Sequence, residues 1–330
     1  MNLEKTRLPE LLALLGETRE VFAPATVDGV KRFCRWDGFA PELGGDNTLL
    51  PPKDILFPKT EKMYSYRLGA DAALCGDTAA PRRCILGLRP CDVHSIDCMD
   101  AVFYGGGYVD SGYAARREAC LLVAVACPGA GENCFCESMG LDPRRAPTAD
   151  ILLTDGGDFF TATANTDAGR AELSHWEPLL SEGPEAVGET RCRLAPPADA
   201  LTPEKLHALF DDAALWTEAS RACIGCGTCA CLCPTCYCFD INFAAQSDSE
   251  GTAFRCWDSC MFSDYNQNAG GYNARPTKRE RLRNRYLHKL LYFRERYGFM
   301  LCAGCGRCIT KCPGHLDITE FISRAAEVSV

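Results

Sequence analysis

The sequence predicts an α/β (α+β) N-terminal domain over residues 1–200 and a largely helical C-terminal domain over residues 201–330. Three observations predict it. A strand–helix–strand pattern lies between Ile85 and Ala126. A glycine- and proline-rich stretch, residues 181–202, separates it from the C-terminal part. Beyond that stretch the chain carries two dense cysteine runs joined by a long segment.

Taken in order, Ile85–Leu88 reads as a buried strand followed by the turn Arg89-Pro90-Cys91. Asp92 is placed to cap a helix from Val93 to about Phe103. The apolar run Cys120–Ala126 reads as a second strand, parallel to the first because a helix connects them. Ile151–Thr154 and Phe159–Thr163 flank Asp-Gly-Gly-Asp and predict a hairpin. Thr202-Pro203 opens a helix with Leu206, Leu209, Phe210 and Ala213 on one face. Leu282, Tyr286, Leu290, Phe293 and Tyr297 share a second helical face. The basic remainder of that helix reads as solvated surface, with a docking face for an acidic partner as the alternative.

The chain has 330 residues, 23 cysteines and a formal net charge of -9. The acidic balance argues against a nucleic-acid binder. The N-terminal apolar run is short and contains Glu10, and no stretch has the length of a bilayer span. The expectation is therefore a cytoplasmic chain whose thiols stay reduced, rather than a secreted disulfide scaffold.

Cys223, Cys226, Cys229 and Cys233 follow C-x2-C-x2-C-x3-C with Pro234 next, and Cys302, Cys305, Cys308 and Cys312 repeat the spacing before Pro313. This is the run of bacterial two-cluster ferredoxins, in which each motif gives three thiolates to one cubane and its fourth to the other. One [4Fe–4S] cluster is expected on Cys223, Cys226, Cys229 and Cys312. The second is expected on Cys302, Cys305, Cys308 and Cys233. Zinc sites usually pair two C-x2-C knuckles, so zinc is the weaker reading. The C-terminal part is thus a bacterial dicluster ferredoxin-like domain, with residues 234–301 as its insert.

Cys91 follows the first strand and Cys127 the second, which puts both at one carboxyl edge if the strands are neighbours. Cys134 and Cys136 alternate shortly after. The four thiols are candidates for a third cubane, with zinc and simple buried thiols as alternatives. Cys236, Cys238, Cys256 and Cys260 lie in the insert as candidates for another metal, a cluster lining or a redox dithiol. Cys231 reads as a packed or exposed thiol. Cys34, Cys75, Cys84, Cys98, Cys120 and Cys192 match no ligand spacing, and His94 and His288 read as structural. No dinucleotide fingerprint and no catalytic triad is present, so no catalytic residue is assigned.

Several longer blocks carry a resemblance: "LPPKDILFPKTEKMYSY", "GLRPCD", "CPGAGENCFCESMG", "CPTCYCFDI", "WDSCMFSDYNQNAGGYNAR" and "HKLLYFRERYGFMLCAGCGRCITKCP". They resemble a family of dicluster iron–sulfur subunits. It comprises those of soluble [NiFe] sulfhydrogenases, of anaerobic sulfite reductase, and of flavin oxidoreductases coupled to heterodisulfide reductase. The resemblance implies a [4Fe–4S] cluster on Cys91, Cys127, Cys134 and Cys136. It covers Cys236 and Cys260 but not Cys231 or Cys256. It implies a flavoprotein partner with FAD and [2Fe–2S] that uses NAD(P)H, and a catalytic module of hydrogenase, heterodisulfide reductase or sulfite reductase type. The expected role is a non-catalytic electron relay in an anaerobic multisubunit oxidoreductase. The rivals are the iron–sulfur subunit of a sulfite reductase, a catalytic role for the leftover cysteines, and a cluster-containing sensor or nucleic-acid module.

Overall fold

The computed structural model describes residues 1–76, 79–188, 190–192 and 195–329. Within the expected linker 181–202, residues 189, 193 and 194 lie outside the described residues.

The larger sheet takes its strands in the spatial order Leu180–Ser181, Asn2–Glu4, Phe159–Ala164, Ile151–Asp155, Cys120–Val125, Arg83–Leu88, Glu20–Val27 and Val30–Arg35. Its centre is parallel. Arg83–Leu88 runs parallel to both Glu20–Val27 and Cys120–Val125, and the latter parallel to Ile151–Asp155. The parallel pair and the antiparallel hairpin of residues 151–164 are those expected from the sequence. Every residue of Cys120–Val125 is buried, as a strand covered on both faces requires.

One face is covered by the helices Leu8–Gly16 and Asp167–Trp176, which bring Leu11, Leu12, Leu15 and Trp176 against Val123 and Leu153. The other is covered by Pro90–Phe103 and Ser111–Glu118, which contribute Ile96, Met99, Phe103 and Tyr113.

The helix Pro90–Phe103 starts three residues earlier than the sequence reading places it. Arg89 is the N-cap residue and Pro90 opens the helix. Asp92 closes a capping box from inside, accepting the Arg89 backbone N–H at 3.1 Å. A proline at the first helical position lacks only a donor that the helix end leaves unpaired anyway.

The second sheet mixes distant parts of the chain. Its order is Phe239–Ala245, Glu250–Trp257, Thr60–Arg67 and Ala73–Cys75. Two strands of the insert therefore join a sheet with the N-terminal region, through the pairing of Glu250–Trp257 with Thr60–Arg67.

The helix expected after Thr202 is two helices, Pro203–Ala208 and Ala213–Ser220. Asp212 ends the continuity by accepting the Leu215 backbone N–H at 2.9 Å, which makes it the cap of the second. Leu206 and Leu209 are buried, while Ala213 is exposed.

Residues 278–297 are helical throughout, with a π-turn over His288–Tyr292. Leu282, Tyr286, Leu290 and Phe293 are buried on the expected face. The basic side chains mostly turn onto the main chain rather than into solvent. Lys278 donates to the carbonyls of Arg221 and Cys223, Arg281 to Arg275 and Pro276, Arg283 to Phe210, Arg285 to Cys229, and Arg294 to Leu201. No helix among the described residues is long and apolar enough to cross a membrane.

Candidate functional site

The two cysteine runs fold into matched loops. Gly225 and Gly227 sit at φ 71° and 73°, and their counterparts Gly304 and Gly306 at 59° and 73°. Each loop runs into a short helix, Thr228–Cys231 or Arg307–Thr310. A left-handed glycine at both positions turns the backbone so that three cysteines face one centre.

Cys223, Cys226, Cys229 and Cys312 line one pocket, together with Cys308, Met261, Arg285 and Tyr286. This is the first expected foursome, and the fourth thiol does come from the other motif. Cys226 is exposed, and the Thr228 hydroxyl beside it, at 3.3 Å, lowers its thiol below the usual range.

The second foursome is buried deeper. Cys233, Cys302 and Cys305 are electrostatic neighbours of Cys308. Burial pushes the Cys302 thiol up to about 11 and raises Cys308 further. Burial alone would strip the charge from Lys289. The adjacent Cys233 and Cys236 outweigh it and hold its ammonium charged, with its Nζ 2.5 Å from the Thr235 hydroxyl. Arg285 is held charged by Cys229, Cys236 and Cys233 in the same way. Two buried cations thus stand against this group of thiols.

At the carboxyl edge of the larger sheet, Cys91, Cys127, Cys134 and Cys136 line a second pocket with Arg89, Gly304 and Cys305. Burial raises the thiols of Cys91, Cys127 and Cys134, the last to about 11. Such thiols keep their protons until a metal displaces them.

The ferredoxin-type loop docks directly on this pocket. The Phe135 N–H donates to the Gly304 carbonyl at 2.7 Å, and the Cys134 thiol lies 3.8 Å from the Cys305 carbonyl. A Cβ on Gly304 would stand 2.6 Å from backbone atoms of Phe135 and Cys136. Arg307 locks the contact from the side. Its guanidinium bonds Asp92 at 2.8 Å and the Thr48 carbonyl at 2.6 Å, and both charged side chains are buried.

These residues fit iron–sulfur clusters. All twelve expected ligands are thiols on loops or helix ends. The glycines leave room that a Cβ would fill. Arg89 Nη1 and Arg307 Nη1 are buried without a hydrogen-bond partner. Arg89 has Cys127 and Cys91 beside it, and Arg307 has Cys305 and Cys91. Such donors suit the sulfur of a cluster. Among the described residues, no three or more His, Cys, Asp or Glu side chains converge as the ligands of a single metal ion do.

Residues 222–316 match the family model of the 4Fe-4S dicluster domain. The chain carries that domain. It is also similar from end to end to sulfhydrogenase 2 subunit beta of Pyrococcus furiosus, with 28% identity over 339 residues that span 99% of this chain and 98% of the relative. This supports the family to which the sequence blocks point. No solved structure matches the chain.

The dicluster domain takes in the insert, where the leftover cysteines separate. The Arg285 guanidinium lies 3.3 Å from the Cys236 thiol, which neighbours Cys233. Cys260 donates to Cys238 and brings its thiol down to about 6. Cys256 faces Thr60 on the second sheet, and Cys231 is exposed. His94 bonds the Met300 carbonyl and His288 the Tyr237 hydroxyl.

Sequence reasoning missed Cys192. It lines the pocket of Cys91, Cys127, Cys134 and Cys136 and stands 2.8 Å from Cys136, sulfur to sulfur. Its surroundings in sequence carry no ligand spacing, so only the folded chain brings it in.

Proposed function

We propose that this chain is an electron relay with three [4Fe–4S] clusters in series. The first would sit on Cys91, Cys127, Cys134 and Cys136, the middle on Cys302, Cys305, Cys308 and Cys233, and the outer on Cys223, Cys226, Cys229 and Cys312. One observation carries the reading. The loop Cys302–Cys308 takes part in both flanking pockets, Cys305 lining the first and Cys308 lining the outer one.

Bound cubanes supply one-electron chemistry, at potentials set by charge, exposure and hydrogen bonds to sulfur. The chain supplies the rest. Cys233 and Cys302 of the middle site are buried away from water. Lys289 and Arg285 place positive charge beside the middle site, which favours the reduced state there. Arg307 and Asp92 hold the first site against the middle one. Cys226 and Ile224, the latter 69% exposed, open the outer site to a partner.

In this reading the catalytic module is of hydrogenase type, which the relative's name as a sulfhydrogenase subunit supports. The other partner in this reading is a flavoprotein with FAD and [2Fe–2S]. Anaerobic purification from the native host tests both halves. The expected result is about twelve irons per chain, with a flavoprotein and a hydrogenase co-purifying. Recovery with components of a heterodisulfide reductase or a sulfite reductase would replace the hydrogenase assignment. A chain recovered alone with its clusters intact would refute the relay.

A further inference from the structure

We infer that Cys136 and Cys192 serve the same iron of the first-domain cluster, so that this site is a cradle of five thiols with two alternative ligands at one corner. The inference rests on the reading of Cys91, Cys127, Cys134 and Cys136 as a cluster site.

Beside Cys305 of the docked loop, five cysteines line the pocket, one more than a cubane uses. Each iron of a cubane takes one outward thiolate, and the body of the cluster keeps thiolates on different irons well apart. Cys136 and Cys192 are not apart. Their sulfurs are 2.8 Å from each other and both residues are buried. Two side chains that reach the same point compete for one corner. Cys91, Cys127 and Cys134 remain for the other three.

Cys192 is held there from several sides. Its backbone N–H donates to the Glu137 carboxylate at 2.6 Å, and Arg191 donates to the same carboxylate at 3.2 Å. The Thr190 hydroxyl donates to the Cys127 carbonyl at 2.5 Å. Further on, the Ser138 hydroxyl donates to the Ala195 carbonyl and accepts from its N–H. The segment is tied to both ligand-bearing loops, at residues 127 and 137–138, and its thiol is the side chain turned into the pocket.

Exchange at that corner balances without an oxidant. The iron–sulfur bond to Cys136 breaks, the bond to Cys192 forms, and the proton of the incoming thiol passes to the departing thiolate. The site keeps a full ligand set when either thiol is lost.

The test compares C136S, C192S, the double variant C136S/C192S, and C91S, each in the full chain purified anaerobically. Iron is counted, and the oxidised protein is examined by EPR for a three-iron signal. Wild type, C136S and C192S are expected to hold about twelve irons with no such signal. The double variant and C91S are expected to lose iron from the first site or show the three-iron form. If a serine variant fails to fold, the alanine variant at the same position is read instead. Loss of the cluster in C136S alone, with C192S unchanged, would make Cys192 a bystander and overturn the inference. A double variant that keeps about twelve irons would overturn it as well. A wild-type chain with about eight irons would instead remove the cluster reading beneath it, so the two failures are distinguishable.

Discussion

Gly304→Ala perturbs the contact between the ferredoxin-type loop and the first-domain pocket, and the cost has two separate sources. Gly304 lies at φ +59°, where a residue with a Cβ costs about 1–2 kcal/mol. Its Cβ would also stand 2.6 Å from backbone atoms of Phe135 and Cys136, and backbone cannot swing aside as a side chain can. Overpacking of this kind costs about 1–3 kcal/mol more. Gly225→Ala is the matched control. Its φ is +71°, but the nearest atom, the Met261 carbonyl oxygen, is 3.9 Å away, so only the backbone strain applies. Thermal unfolding followed by circular dichroism should show Gly304→Ala less stable than Gly225→Ala by about 1–3 kcal/mol. EPR of the reduced protein should show weaker spin coupling between clusters in Gly304→Ala alone. Equal destabilisation and equal coupling in the two variants would refute the idea that this loop is pressed onto the first-domain pocket.

Three further outcomes are expected. Arg307→Met should destabilise by about 3–5 kcal/mol, because it leaves the Asp92 carboxylate buried and uncompensated, and adding Asp92→Asn should recover part of the loss in a denaturation series. Lys289→Met should lower the potential of the middle cluster by on the order of 100 mV in an EPR-monitored titration, since a unit charge at close range is worth up to about 4 kcal/mol and each ~1.4 kcal/mol is ~59 mV for one electron. Burial raises the Asp97 carboxyl from 3.8 to about 6, against the pull of its bond from Thr148, so the folded chain holds that proton more tightly than the unfolded one and loses stability as pH rises from about 4 to about 6. In denaturant titrations Asp97→Asn should therefore stabilise the chain more at pH 8 than at about pH 4, by at most about 3 kcal/mol and by less given its partial exposure.

What was legible in the sequence was local. A C-x2-C-x2-C loop closes on one centre within a few residues, so its spacing alone identifies Cys223, Cys226 and Cys229 as one set. Cys91 and Cys127 are legible because a parallel strand pair sends both chain ends to one edge. Cys192 meets Cys136 across 56 residues of sequence, out of a stretch whose prolines and glycines read as a linker, and no periodicity records that approach. The second sheet fails for the same reason. Thr60–Arg67 pairs with Glu250–Trp257, and strand pairing at that distance leaves no mark in either segment. The break after Ala208 is a different case. The apolar spacing continues through it, and the Asp212 side chain overrides the spacing by bonding the next helix start.

The basic helix 278–297 is where composition and structure pull furthest apart. A cationic surface on an acidic chain invites a docking role, yet most of these side chains bond the chain itself, and Arg285 and Lys289 are buried. Lys278 and Arg285 hold the carbonyls of Cys223 and Cys229, two residues of the outer site, while Arg285 and Lys289 stand buried against Cys229, Cys233 and Cys236. A buried ammonium or guanidinium is costly unless an anion faces it. Here the facing groups are cysteines: the bond from Cys236 holds the Cys233 thiol well below its usual range, while burial holds Cys229, Cys302 and Cys308 in their neutral form until metal binds. In the proposed relay the cations and these cysteines therefore form one electrostatic unit, whose balance would be met when clusters bring negative charge to the site. In the proposed relay the helix is then a charge-matched spine between the outer and middle sites, and its sequence is basic for what lies beneath it.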